Sequence, residues 1–286
     1  MTLKASAKIN LGLKIINKRD DGFHNLETIF YPVKLFDEIF IKIIRSKRNT
    51  NSVIIKTNNK IIPTDRTNIC FKVIESFFRV FSIRDFFSIN IFIDKKIPVG
   101  GGLGGGSSDA AAVLKHLVRF FGININENKK EILKIALSVG SDVPYFMIQK
   151  PCLAQSRGEI ITRLDDFNLN NYKILLINPN LHISTKWAFE SLTMQHGVQN
   201  ESKIKEVRKF TSDAKEILQN DFEKIVFEKY SELNSIKNEL ISFGAEFSSM
   251  SGSGATMYGL FENSKEESLQ KAFEYYKEKD YFVFIS

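Results

Sequence analysis

Residues 98–110 read Pro98-Val99-Gly100-Gly101-Gly102-Leu103-Gly104-Gly105-Gly106-Ser107-Ser108-Asp109-Ala110, and six of the seven positions 100–106 are glycine. Ile89, Ile91 and Ile93 alternate with polar residues just before this run, and an alanine-rich helical pattern follows it. A strand, a glycine loop and a helix in immediate succession constrain the fold more than any other stretch. Glycine lets a backbone turn its N–H groups inward and approach a ligand closely. Ser107 and Ser108 stand where a helix N-terminus offers unpaired N–H donors and a positive dipole end. That combination suits a polyphosphate. Gly100, Gly102 and Gly105 also satisfy G-x-G-x-x-G, with Glu127 at the distance of a ribose-binding acid, but the strand that would follow (Ile123, Ile125) is very short. In a Walker reading Gly101 and Gly106 are correctly spaced, yet Ser107 stands where lysine is required. The Val-Ala-Ile-Lys strand of a protein kinase is missing. A plain linker is disfavoured because patterned elements flank the glycines directly. The residues point to a nucleotide-handling loop and to movement of a phosphoryl group.

With 286 residues, two domains are expected. The formal charge is +7, but the basic residues are dispersed, with only pairs such as Lys47-Arg48 and Lys95-Lys96. A nucleic-acid footprint needs a clustered patch, so anionic small molecules are the expected partners, with no nucleic acid. Cys70 and Cys152 form no disulfide framework and no metal-site spacing, and Cys70 reads as a core residue. No leader-like apolar segment and no run of about 18 apolar residues is present, so neither a membrane span nor membrane binding is expected, and a cytoplasmic location is.

Ile9, Leu11, Leu13 and Ile15 alternate with Lys8, Asn10, Gly12 and Lys14, the period of a strand with one buried face. Residues 25–33 and 38–44 read as two further strands, and Thr67-Asn68 opens a helix carrying Phe71, Ile74, Phe78 and Phe81. Residues 107–121 read as a helix ended by Gly122. A short helix over 131–139 is broken by Gly140-Ser141-Asp142-Val143-Pro144. Beyond residue 153 the spacing predicts a strand over 173–178, a helix over 185–192, a polar loop over 193–206, and helices over 212–228 and 231–243. Two short strands follow on either side of Ser251-Gly252-Ser253-Gly254, then a helix over 265–279 and a last strand over 281–285. Strands and helices without strict alternation argue for an α+β protein.

Singly, Lys8 reads as a solvated strand lysine, Asp142 as a helix cap, His24 as idle and Ser251–Gly254 as a tight turn. Their order changes that reading. Ala7-Lys8-Ile9-Asn10-Leu11, Pro98 to Ser108, and Ser251-Gly252-Ser253-Gly254 resemble the three motifs of the GHMP kinases. Gly22-Phe23-His24-Asn25-Leu26-Glu27-Thr28, the doubled triple-glycine loop, Gly140 to Pro144 and Asn220-Asp221-Phe222-Glu223 resemble one branch of them. That branch phosphorylates the 2-hydroxyl of a diphosphocytidyl methylerythritol, on the non-mevalonate route to isoprenoid precursors. The resemblance runs from residue 5 to about residue 261.

The resemblance implies a two-domain α+β fold. Residues 1–153 would form a ribosomal-protein-like, ATP-binding half and residues 154–286 a ferredoxin-like half, the last strand returning to the first, with the active site in the cleft between them. It implies ATP and Mg²⁺, with Pro98, Val99, Gly100, Gly101, Gly102, Leu103, Gly104, Gly105, Gly106, Ser107 and Ser108 around the phosphates and Ser107 or Ser108 near the metal. Lys8 and Asp142 match the catalytic lysine and aspartate. Asn10 would lie near the reacting polyol, Phe23, His24 and Phe189 at the cytosine, and Thr185 near the diphosphocytidyl group. Phe23 departs from the family's usual tyrosine, which keeps the stacking surface and loses a hydroxyl. Another small-molecule GHMP kinase, acting on mevalonate, a sugar or homoserine, is the alternative. A basic nucleic-acid-binding module would leave the glycine loop and Asp142 without a role.

Overall fold

The structure is a computed structural model that describes residues 1–196 and 201–286. They form two compact units. One comprises Met1–Ala7, Leu35–Val99 and Gly104–Gln149, the other Lys8–Lys34, Gly100–Leu103 and Lys150–Ser286. A single division at residue 153 was the expectation; instead residues 8–34 and 100–103 group with the second half. The reason is that β-pairing rewards hydrogen-bonded neighbours irrespective of their distance along the chain.

The first unit takes residues 2–7 of β1 (Thr2–Lys18) and 35–45 of β2 (His24–Arg45), with β3 (Ser52–Thr57) and β4 (Phe87–Asp94) in the same sheet. Helix α1 (Ile69–Val80) lies between β3 and β4 in sequence. Strand β2 is continuous where two strands were expected, and its residues 38–45 pair antiparallel with β4, to which β3 pairs in parallel. Ile39, Ile41, Ile89, Ile91 and Ile93 alternate into the core. Asn68 caps α1 by accepting the Cys70 N–H at 2.8 Å, and Cys70 is buried. Then come α2 (Gly105–Phe120), α3 (Lys129–Val139) and α4 (Val143–Ile148), which pack on one another and on α1. Phe78 of α1 and Phe121 at the end of α2 both meet Phe87 of β4 edge to face. Gly105 and Gly106, expected in the loop, already belong to α2, because Gly104 at φ +72° supplies the left-handed turn that starts the helix.

In the second unit, β5 (Cys152–Ser156) pairs antiparallel with residues 26–30 of β2, and β6 (Ile160–Arg163) with β5. The remaining elements are β7 (Tyr172–Asn178), α5 (Thr185–His196), α6 (Ser212–Ile217), α7 (Phe222–Lys229), α8 (Ser231–Ser242), β8 (Phe247–Met250), β9 (Met257–Glu262), α9 (Glu266–Glu278) and β10 (Phe282–Ile285). The antiparallel order β10-β7-β9-β8, with α8 and α9 packed on the sheet, is the ferredoxin-like arrangement. Ile177, Leu240, Phe261, Leu269, Ala272 and Tyr276 share its core.

Four expectations change here. β10 pairs with β7 in the second unit rather than returning to the first. The loop expected over 193–206 begins later, since α5 runs to His196; residues 197–200 lie outside the described residues, and 204–206 form a 3-10 turn. The helix expected over 212–228 is two helices, split at residues 218–221, where Asn220 forms a bridge with Leu13. Finally, β1 is buried on both faces from Ala5 to Leu13, not on one. Among the described residues no helix is long and apolar enough to cross a membrane.

Candidate active site

Burial on both faces makes Lys8 and Asn10 unusual residues. An ammonium taken out of water is costly unless it finds hydrogen-bond partners. Lys8 is 4% exposed. Its Nζ donates to Asn10 Oδ1 at 2.6 Å and to the Gly102 carbonyl at 3.0 Å, and lies 5.0 Å from the centroid of the Phe30 ring. Asn10 Nδ2 donates to Thr28 Oγ1 at 3.0 Å, and Thr28 passes its own proton to the Gly12 carbonyl at 2.6 Å. The lysine therefore sits at the head of a directed chain of hydrogen bonds, pre-oriented and positively charged.

The Ser251–Gly254 turn completes this cluster. Ser251 Oγ accepts the Asn10 N–H at 3.2 Å and donates to the Gly102 carbonyl at 2.9 Å. Leu103 and Gly101 carbonyls accept from the backbone of Lys8 and Thr256. Two chain segments thus grip residues 101–103. Gly102 has φ +75°, and a Cβ there would fall 2.0 Å from the Ser251 carbonyl oxygen. Gly102→Ala is expected to cost roughly 1–3 kcal/mol in backbone strain alone, and more once the clash is relieved. Thermal unfolding and kcat together check this; an unchanged Tm with full activity would show that the close approach does not hold.

Asn220 braces the Ser251–Gly254 turn, a part that sequence reasoning did not give it. Its Nδ2 donates to the carbonyls of Met250 and Gly252 at 2.7 and 2.8 Å, and its Oδ1 accepts the Phe222 N–H. Glu223 accepts from Ser249 Oγ and the Met250 N–H, and Asp221 accepts the Ile15 N–H. This segment ties β1 to the turn that holds Gly102. The polar run Gln219-Asn220-Asp221 inside an otherwise helical pattern was the available signal.

Elsewhere in the second unit His24 stacks on Phe189, centroids 4.8 Å apart and planes inclined by 19°. Phe189 in turn meets Phe222 edge to face. Burial, with the charge of Lys18, holds the His24 pKa below its ordinary value, so the imidazole is neutral at neutral pH. Thr185 lies one helical turn before Phe189, and its hydroxyl is 3.0 Å from Ser253 Oγ. Phe23 is half exposed and takes the Arg157 guanidinium over its ring at 4.5 Å. The second unit therefore brings together Lys8, Asn10 and Gly102, pairs His24 with Phe189, and joins Thr185 to the Ser251–Gly254 turn.

Gly104 to Ser108 and Asp142 belong to the first unit. Gly104, as the N-cap of α2, has no side chain to bond the N–H groups of the first turn. Ser108 is buried, and its hydroxyl has no hydrogen-bond partner among the described residues. A Cβ on Gly106 would meet nothing closer than Ile69 at 4.0 Å, so this turn is open to close approach. These features fit a polyphosphate. A Cβ on Gly140 would lie 3.5 Å from Ser107 Oγ, which sets the 140–142 segment against the same first turn. Asp142 is half-buried and its carboxylate does not cap α4, so the bland reading of it as a helix cap does not hold.

Comparison with known proteins gives the family. The profile for the GHMP kinases N terminal domain matches residues 68–150, and that for the GHMP kinases C terminal matches 202–279. The 4-diphosphocytidyl-2-C-methyl-D-erythritol kinase of Chlorobium phaeovibrioides is 37% identical over 92% of this chain and 88% of its own. That of Bacteroides thetaiotaomicron is 40% identical over 90% of each.

The chain belongs to this family of GHMP kinases.

It is accordingly an enzyme, a kinase whose co-substrate is ATP. A crystal structure of 4-(cytidine 5'-diphospho)-2C-methyl-D-erythritol kinase shares the fold, with a TM-score of 0.80 at 24% identity over 100% of this chain and 98% of that one. The GHMP N-terminal match contains the glycine loop and Asp142, and the C-terminal match contains Asn220 and the Ser251–Gly254 turn. The strand carrying Lys8 and Asn10 lies outside both matches, so its part in the site rests on the hydrogen bonds described above.

Proposed function

We propose that this GHMP kinase transfers the γ-phosphoryl of ATP to the 2-hydroxyl of 4-diphosphocytidyl-2-C-methyl-D-erythritol. The observation that carries the reading is the buried Lys8 ammonium bound to Asn10 and to the Gly102 carbonyl of the glycine loop. The identity of 34–40% to relatives bearing that kinase's name supports the choice of substrate over mevalonate or homoserine.

The chemistry follows from the residues. Phosphoryl transfer leaves little covalent work for a protein, so positioning and electrostatics dominate. Pro98 to Ser108 wrap the phosphates, the backbone N–H groups after Pro98 bonding them, and the hydroxyls of Ser107 and Ser108 lie in the helix turn that follows the loop. Mg²⁺, when bound there with ATP, neutralises phosphate charge. A tertiary alcohol is weakly acidic, so Asp142 takes its proton as general base. The Lys8 ammonium stabilises the developing alkoxide, and Asn10, which orients Lys8, bonds the polyol. At the far end of the substrate, Phe23 and Phe189 stack on cytosine, an interaction worth about 1–3 kcal/mol per base. Neutral His24 bonds the base edge, and Thr185 bonds the diphosphocytidyl group.

A turnover assay with ATP, Mg²⁺ and the diphosphocytidyl alcohol, with the product identified by phosphorus NMR, tests the reading. A new phosphomonoester on the methylerythritol unit is the expected result. Turnover of mevalonate or homoserine in its place would overturn the substrate assignment.

A further inference from the structure

The first unit holds a buried ionic cluster that the reaction as described does not use. Lys95 follows β4, and its Nζ donates to Asp109 Oδ2 at 2.8 Å and to Asp37 Oδ2. The side chains of Lys95, Asp37 and Asp109 are 2%, 0% and 4% exposed. Asp37 Oδ1 also accepts the backbone N–H groups of Lys96 and Ile97, at 2.6 and 2.9 Å. A Cβ on Gly105 would lie 3.1 Å from Lys95 Nζ. The cluster therefore grips residues 95–97, which lead into the glycine loop, and residues 105–109, the first turn of α2, which lead out of it.

We propose that Asp37, Lys95 and Asp109 are positioning residues for ATP, fixing the two ends of the glycine loop and thereby setting its affinity for the phosphates. The inference rests on the reading of residues 98–108 as the ATP loop. Three buried charges are a poor device for stability alone, since apolar side chains of similar volume do as well or better. What an ionic cluster adds is direction. Charge-assisted bonds fix two backbone N–H groups and one helix turn in a single geometry.

The split between the two Michaelis constants gives a readout that mere structural support would not. Burial pushes the Asp109 carboxyl up, while the Lys95 ammonium beside it pulls it down. Against burial, which would lower it, the two carboxylates raise the Lys95 pKa. A cluster that served stability alone would move both constants and Tm together, whereas one that holds the ends of the loop acts on ATP.

The experiment measures KM for ATP and for the alcohol, with Tm, in the full-length chain and its variants. Lys95→Met should raise the ATP KM by about tenfold or more while leaving the KM for the alcohol in place. Asp109→Asn, which keeps the shape and weakens the bond to Lys95, should raise the ATP KM by about threefold or more with the same split. If Lys95→Met does not fold, the Asp109→Asn split decides. Gly106→Val tests the underlying reading, because a side chain there obstructs the approach of the phosphates. An unchanged ATP KM in Gly106→Val removes the loop reading and the proposal with it. A raised ATP KM in Gly106→Val alongside both KM values unchanged in Asp109→Asn overturns the proposal alone.

Discussion

Asp142→Ala is expected to lower kcat by about 10²–10⁴-fold, the range that a positioned general base supplies, while ATP still binds. The side chain is half-buried and makes no cap bond to α4, so its removal does not cost that helix a cap. On the proposed reading the phosphates are held by backbone N–H groups of the glycine loop rather than by this carboxylate, so ATP affinity should persist. Asp142→Asn should be equally impaired, since an amide keeps the shape and loses the proton acceptor. Calorimetric titration with a non-hydrolysable ATP analogue, beside a coupled ADP assay, separates binding from chemistry. Turnover within about threefold of the unsubstituted enzyme would remove Asp142 from the role of base.

Lys8→Met is the second large effect, with an expected loss of about 10²–10³-fold in kcat, typical of removing one donor aimed at developing negative charge. Methionine preserves much of the volume, so the loss reports on the ammonium. The stability cost is smaller than the burial suggests. Gly102's carbonyl keeps the Ser251 hydroxyl as a donor, while Asn10 Oδ1 loses the Lys8 donor. That loss costs about 1–3 kcal/mol, offset by no longer burying an ammonium. Lys8→Arg should not rescue. A planar guanidinium is too large for the slot between Phe30, Asn10 and Gly102, and its fork does not match a single point of charge. Equal kcat in the two variants and the parent would mean that Lys8 only supports the fold.

Much of the local structure was legible before any coordinates. The Asn68 cap, the α2 helix after the glycines, the Pro144 start of α4 and the short strands around Ser251–Gly254 all follow from preferences acting over a few residues. Taken singly, Lys8 reads as solvated, because alternation reports that one face of a strand is apolar and says nothing of what covers the other. The helix over 212–228 was drawn too long for a related reason. Its break comes from Asn220 reaching residues 250 and 252, and from Leu13, neither of which the local pattern contains. The Asp37–Lys95–Asp109 cluster joins residues up to 72 positions apart, counting from 37 to 109, and no spacing rule announces it.

By itself the sequence determined where the backbone can turn, where helices start, and that a glycine loop stands between a strand and a helix. These are properties of φ/ψ preference and hydrophobic period, which neighbours along the chain settle among themselves. Tertiary structure alone decided that Lys8 is a desolvated, hydrogen-bonded cation, that His24 meets Phe189, and that Gly102 must lack a side chain because the Ser251 carbonyl lies against it. The surroundings of those groups depend on partners far along the chain, as in the stacking of His24 on Phe189, and only the folded chain brings such partners into contact.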